Sequence, residues 1–408
     1  VVLAIGIPCI VYIVAHGLPI DLVAQRTLYA MDSFPLVAVP VFLFVGSLMN
    51  TAGISRYIYK FADTATGRLP GGLAQVNIFG SLIFAGMSGS ALADIGGLGR
   101  IEIDAMRSKG FTAPFAAAVT SSSAIVGPIF PPSIPLIIYG TVTGVSVIQL
   151  LLGGILPGLL CVAMLMLMTG WLAIRRGYPR TTRWPTRHEL WRDFRPAFPA
   201  MIAPIVLIVG MLLGWFTPTE IASVTVLYAI LISSLFYREL TWRGVLDAGY
   251  ETVRASAGIL LIVAVAALFG WILSVEGVPQ KLTAAMLQVS TNPYVLLMIV
   301  NVLLIVVGMF LDSTTAILVI APIIAKPLVA AGVDPVHLGM VVVFNLMIGL
   351  LTPPMGLALF LVADIAKVTM KDVLREMAPY YIPLGITLLL ITYVPKITTW
   401  IPQLALGP

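Results

Sequence analysis

Long, continuous apolar runs, each closed by glycine, proline or a few polar positions, make up most of the chain. Residues 145–174 and 197–216 are the plainest, and both reach the roughly 20 residues an α-helix needs to cross a bilayer. A further run at 221–236 follows the second of these through Thr217-Pro218-Thr219-Glu220. The runs do not alternate apolar and polar positions, as the strands of an outer-membrane barrel do. Backbone polar groups in lipid must be satisfied within their own segment, so the pattern predicts an all-α integral membrane protein.

The punctuation between the runs repeats. Gly86-Met87 recurs as Gly308-Met309, Gly110 as Gly332, Gly127 as Gly349, Pro131-Pro132 as Pro353-Pro354 and Pro157 as Pro379, all at an offset of 222 residues. In each copy an apolar segment meets a break, around Gly86-Met87-Ser88-Gly89-Ser90 or Gly308-Met309-Phe310-Leu311-Asp312. A second apolar stretch and a short polar turn follow. The next segment is interrupted at the proline pair, which removes two backbone donors and pushes the preceding residue out of helical geometry. Irregular backbone at membrane depth persists only beside protein or a watery cavity. Paired broken segments in two halves therefore point to a transporter binding site; simple kinks in lipid-facing helices are the alternative.

These signals predict four parts. Residues 1–174 hold N-terminal scaffold helices and the first copy, with a re-entrant hairpin at about 73–107 and a broken helix at about 113–140. Residues 175–196 form an Arg-rich cytoplasmic loop, and 197–253 form linking helices. Residues 254–408 hold the second copy, with a hairpin at about 294–331 and a broken helix at about 336–365. The copies are expected to be inverted in the membrane, which requires an odd number of spans in each repeat unit.

Composition agrees with lipid as the solvent. Hydrophobic residues are 59% of the 408 and charged residues 10%, against roughly 25% charged in soluble domains. The net charge of +5 is no nucleic-acid signal, because much of it lies in Arg175, Arg176, Arg180, Arg183, Arg187, Arg192 and Arg195, among Pro179, Pro185 and Pro196. The positive-inside rule reads that segment as cytoplasmic, with an anionic-lipid contact as the alternative. Cys9 and Cys161 lie in apolar runs and suggest no disulfide. The chain opens at Val1 inside an apolar run with no initiator Met, so further residues are expected ahead of it. No basic region precedes that run, which argues against a cleaved signal peptide.

Asp312 is the foremost candidate for chemistry. It ends the apolar run 295–311 and is followed by Ser313, Thr314 and Thr315. A carboxylate at mid-membrane costs ~2.5–3.5 kcal/mol or more and marks function by default. Carboxylate, hydroxyls and freed carbonyls together make an oxygen shell suited to a hard monovalent cation; Asp before Ser-Thr-Thr is also a good helix cap. Ser90 occupies the matching place in the first copy, with Ser88 close by. Thr120, Ser121, Ser122 and Ser123 either line a pathway or bind helices together. The spacing of Asp94, Glu102, Asp104, Arg107 and Lys109 toward Gly110 predicts a solvated interfacial end, and Asp364 with Lys367 reads the same way. Gly86-Met87-Ser88-Gly89 matches a short string of intramembrane serine proteases, but a Ser nucleophile needs a positioned base. His16 and His337 sit at segment ends, and His188 lies in the Arg-rich stretch. No phosphate-binding Gly-rich loop with a Lys is present, so no ATP hydrolysis is expected.

Residues 86–99 (GMSGSALADIGGLG), 127–140 (GPIFPPSIPLIIYG), 310–322 (FLDSTTAILVIAP) and 352–360 (TPPMGLALF), with Asp32-Ser33-Phe34-Pro35 and residues 46–50, resemble the large membrane subunit of tripartite ATP-independent periplasmic (TRAP) transporters. The resemblance covers nearly the whole chain. It implies an elevator-type, sodium-driven importer of organic acids in the bacterial inner membrane. Its implied partners are a separate small four-helix membrane subunit and a soluble periplasmic substrate-binding protein. One sodium site would use Ser88 with carbonyls around Gly127, Phe130 and Pro132. The other would use Asp312 with Gly349, Thr352 and Met355, for about two sodium ions. Substrate would meet Ser88, Gly89, Ser90, Pro131, Asp312, Ser313, Thr314 and Pro353 between the hairpin tips. Many relatives carry a second hydroxyl after Ser90, where this chain has Ala91. A stand-alone carboxylate symporter of related fold and a channel are the other readings of the same pattern.

Overall fold

The computed structural model describes residues 2–179 and 185–407, so Arg180 and Arg183 of the Arg-rich segment lie outside the described residues. Among the described residues there is no strand. Among those residues seven helices are long and apolar enough to cross a membrane, or eight if the bent pair Met370–Tyr393 and Lys396–Leu406 forms one span.

The breaks foreseen at glycine and proline shape four elements. Helix Leu73–Ser88 stops where Gly89 enters the left-handed region (φ 61°), and the chain returns through Ala91–Asp94, a wide-wound turn at Ile95–Gly99 and Arg100–Ser108. Helices Ala113–Ala124 and Ile134–Thr143 flank the first proline pair. Helices Pro293–Phe310 and Ser313–Ala330 form the second hairpin, and Pro335–Leu350 with Leu357–Ala366 flanks the second proline pair. Both Pro-Pro peptide bonds are cis.

Helix Ile155–Arg176 serves as a ruler for orientation. At 1.5 Å per residue its 22 residues span roughly 33 Å. At its Arg176 end, Tyr178 stacks on Phe111 and Phe115 at the base of the first hairpin, with centroids 4.8 and 4.7 Å apart. At its other end, a Cβ on Gly153 would lie 2.8 Å from the Thr398 carbonyl and 3.2 Å from Val336. Thr398 is also 3.0 Å from His337, beside the base of the second hairpin. The two hairpins thus enter from opposite ends of the same helix. Lys60, paired with Asp193 at 3.2 Å, and Arg176, paired with Glu376 at 2.5 Å, join Arg175, Arg187, Arg192 and Arg375 toward the first of these ends. This is the end that the positive-inside rule expects in the cytoplasm.

Three expectations need correction. The loop expected over 175–196 is shorter, because a helix runs from Arg187 to Leu212. Thr186 accepts from the Glu189 amide while Glu189 reaches back to the Thr186 amide, a reciprocal cap that starts the helix inside the Arg-rich stretch. The expected boundary at 253/254 falls within the 34-residue helix Trp242–Val275. Finally, Asp104, Arg107 and Lys109 are exposed as expected, but Asp94 and Glu102 are buried. Helical spacing placed them on one face and could not say that this face turns toward Gly80 of the opposite arm; a Cβ there would sit 3.6 Å from Glu102 Oε1.

Buried amides and hydroxyls tie the broken helices to the hairpins. Asn77 donates to Thr120 Oγ1 (2.7 Å) and accepts from Ser123 (2.8 Å), while Ser81 donates to Ser123 (3.1 Å). In the second copy Asn345 donates to Asn301 (2.7 Å), which donates to Thr392 (2.9 Å). Thr120 and Ser123 therefore bind helices together.

Candidate functional site: two opposed hairpin tips

The first tip is pressed against the first proline break. The Ile134 amide lies 3.4 Å from the Gly89 carbonyl. A Cβ on Gly89 would fall 2.5 Å from the Pro132 carbonyl oxygen, and one on Gly127 would fall 3.5 Å from the Ser90 amide. With its left-handed φ, Gly89 is a position only glycine fills without strain. Ser90 caps the return arm, its Oγ accepting from the Ala93 amide at 3.4 Å. Phe130 instead turns its ring onto Gly158.

Ser88 is buried, yet its Oγ has no hydrogen-bond partner among the described residues. It faces a cavity of about 340 Å³ shared with Ser47, Asn50, Gly97, Glu251 and Thr252. Ser47 donates to the Glu251 carboxylate at 2.7 Å. Helix Phe34–Thr51 meets the hairpin here at close range, since a Cβ on Gly46 would lie 3.2 Å from the Ser88 Cα. Sequence reasoning missed Glu251, which stands on a helix 163 residues further along the chain. Among the described residues no base hydrogen-bonds Ser88; His16 contacts the Tyr12 carbonyl and His337 contacts Thr398.

The second tip is built around Asp312. Its Oδ1 accepts from the amides of Thr314 (3.0 Å) and Thr315 (3.2 Å), and its Oδ2 accepts from the Thr315 hydroxyl. Asp312 is therefore the cap of helix Ser313–Ala330, as the capping alternative held. It is also half-buried, and both oxygens keep further lone pairs. Beside it, the arm Pro293–Phe310 crosses the second broken helix at Gly308 and Gly349, where a Cβ on Gly349 would lie 2.5 Å from the Gly308 Cα. The Met355 amide donates to the Met309 carbonyl at 3.2 Å. Thr352 turns its hydroxyl to the Ile348 carbonyl (2.7 Å), and the Met355 side chain is exposed.

The tips meet. Gly89 and Ser90 from one, and Asp312, Ser313 and Thr314 from the other, line a common cavity of about 90 Å³, closed on its sides by Leu43, Pro128, Ile259 and Leu350. Ser88, Pro131 and Pro353 do not line it. The apolar side walls were invisible in the sequence, because an apolar residue in an apolar run carries no sign of what it faces.

A chain with this arrangement matches the family described as Tripartite ATP-independent periplasmic transporter, DctM component, over residues 1–397. It belongs to that family. The permease is 42% identical over 97% of its length to the sialic acid TRAP transporter large permease protein SiaM of Vibrio cholerae, of which it covers 92%. It is 38% identical over 94% of its length to the sialic acid TRAP transporter permease protein SiaT of Haemophilus influenzae, of which it spans 62%. Among solved structures, the Alcanivorax borkumensis YdaH transporter shares the fold at a TM-score of 0.62, with 17% identity, 91% of this chain and 86% of that one covered. The permease is thus a multi-pass inner-membrane protein of a family of transporter permeases rather than enzymes.

Proposed function

We propose that this permease is the large membrane subunit of a sodium-coupled secondary importer of a small organic acid. It would work with a small four-helix membrane subunit and a soluble periplasmic substrate-binding protein. Two relatives named for sialic acid make that acid the first substrate to try. The observation that carries the coupling is that Asp312 faces the same small cavity that the acid would enter. Two like charges about 5 Å apart repel by about 3 kcal/mol at an effective dielectric of 20. A cation on Asp312 removes that repulsion, so sodium binding precedes and favours substrate binding. The N-terminus of helix Ser313–Ala330 and the hydroxyls of Ser90, Ser313 and Thr314 then offer donors to the carboxylate. On the other side, the orphaned Ser88 oxygen, which faces Ser47 and Glu251 across its cavity, is offered as a ligand to a second sodium ion, with carbonyls of the adjoining break at Gly127, Phe130 and Pro132 as the remaining ligands. With its charges balanced, the hairpin-bearing unit would slide past helices Phe34–Thr51 and Trp242–Val275 as an elevator.

Uptake of radiolabelled sialic acid into proteoliposomes tests this reading. Uptake is expected to require an inward sodium gradient and the cognate binding protein together. Uptake that survives omission of the binding protein would assign a stand-alone symporter, and non-saturating flux without sodium would assign a channel.

Ser88→Ala is a finer probe. The Ser88 hydroxyl makes no hydrogen bond among the described residues, so its removal should leave thermal stability nearly unchanged. Loss of one oxygen ligand worth ~1 kcal/mol should raise the sodium concentration for half-maximal uptake about fivefold. An unchanged sodium titration would remove Ser88 from the cation's shell.

A further inference from the structure

A large groove lies far from the hairpin tips. It has a volume of about 800 Å³ and runs between helices Ile155–Arg176 and Tyr381–Tyr393. Its walls are apolar, with Leu167 and Trp171 on one side and Ile382 and Ile386 on the other. Leu167 is 70% exposed and Ile382 58%, which lipid tolerates and water does not. At one end the groove is closed by Arg175, Arg176 and Arg375.

The three arginines are not equivalent. Arg176 is paired with Glu376 at 2.5 Å, so its charge is balanced. Arg175 stacks over the Trp171 ring at 5.4 Å, an arrangement that leaves its guanidinium donors open. Arg375 is exposed and in no ion pair among the described residues. The groove thus ends in two uncompensated positive charges at the cytoplasmic interface.

The groove also has the depth of one leaflet. From Arg175 to Met164 is a rise of roughly 16 Å along the helix, about half of the ~30 Å hydrocarbon core. We propose that this groove is a binding site for an anionic glycerophospholipid of the cytoplasmic leaflet, its phosphate held by Arg175 and Arg375 and an acyl chain lying along Leu167, Trp171, Ile382 and Ile386. Basic pockets between transmembrane helices on the cytoplasmic side recognise lipid headgroups in this way. The site joins helix Ile155–Arg176 of the first copy to helix Tyr381–Tyr393 of the second, so the lipid staples the two copies together on their outer face.

Trp171 makes the site readable. The permease with its copurifying subunits is reconstituted into bilayers containing phosphatidylglycerol or phosphatidylcholine with brominated acyl chains, and the Trp171 signal is taken as the difference from Trp171→Phe. Half-maximal quenching of Trp171 is expected at about tenfold lower mole fraction of brominated phosphatidylglycerol than of brominated phosphatidylcholine, since each arginine near the surface is worth about a fivefold preference before screening. In Arg175→Gln/Arg375→Gln the preference should shrink to within about twofold, while quenching by the choline lipid stays as in wild type and reports an intact groove. If that variant does not assemble, Arg375→Gln alone should lose about half of the preference on a logarithmic scale. Equal quenching by both lipids in wild type, or a preference that survives the arginine changes, overturns the proposal. A Trp171 signal that neither brominated lipid quenches also overturns it, because protein then covers the groove.

Discussion

Asp312→Asn is expected to leave the permease folded while its sodium-driven uptake falls about a hundredfold at limiting sodium. The two roles of this residue separate cleanly in that substitution. As a cap, Asp312 accepts from the amides of Thr314 and Thr315, and Asn caps a helix about as well as Asp. In its proposed role as a cation ligand, the residue loses its charge. Breaking a desolvated charge pair by removing one partner costs ~3–5 kcal/mol, and the partial exposure of Asp312 keeps only part of that, whereas a hundredfold change needs ~2.7 kcal/mol. Asp312→Ala should add a cap loss of ~1 kcal/mol to the same transport defect. The measurement is a pair of sodium titrations of uptake with thermal unfolding alongside. Normal sodium dependence in Asp312→Asn would reduce Asp312 to a cap and move the second sodium site elsewhere.

Gly349→Ala is expected to have the largest structural effect of any single methyl added to this chain's second copy. Its Cβ would lie 2.5 Å from the Gly308 Cα and 2.6 Å from the Gly308 carbonyl carbon, both backbone atoms that no rotamer change relieves. Small residues at such crossings are what allow two membrane helices to approach, and overpacking costs ~1–3 kcal/mol or more. Most of the solubilised variant should aggregate on size-exclusion chromatography, or unfold at clearly lower temperature. Gly385→Ala is the internal control, because nothing lies within 4 Å of its added Cβ. Equal behaviour of the two variants would mean that the hairpin and the broken helix are not locked together at this point.

The residues that bend the backbone were the ones the sequence displayed openly. Gly89, Pro131-Pro132, Asp312 and Pro353-Pro354 each impose a local geometry whatever surrounds them, so their breaks lie where the pattern put them. Burial was far less legible. In a chain dissolved in lipid, apolar residues face protein and solvent alike, which is why Leu43 and Ile259 gave no hint that they wall the cavity. Asp94 and Glu102 misled for the converse reason: polar residues at helical spacing read as a wet face, whereas here that face packs against Gly80. The start of helix Arg187–Leu212 was missed although Thr186 and Glu189 carry the capping signal, because the arginines between and after them suggested a loop. Glu251 was beyond reach altogether, since only the folded chain brings it beside Ser47 and Ser88.

The two hairpins enter from opposite ends of helix Ile155–Arg176 and end on one shared cavity. On the proposed function each would stand as the door to a different compartment, and the cavity between them would work as an airlock. Damage to one door would then open the chamber to one side only. A fold made this way would tolerate injury to either tip without becoming a hole in the membrane.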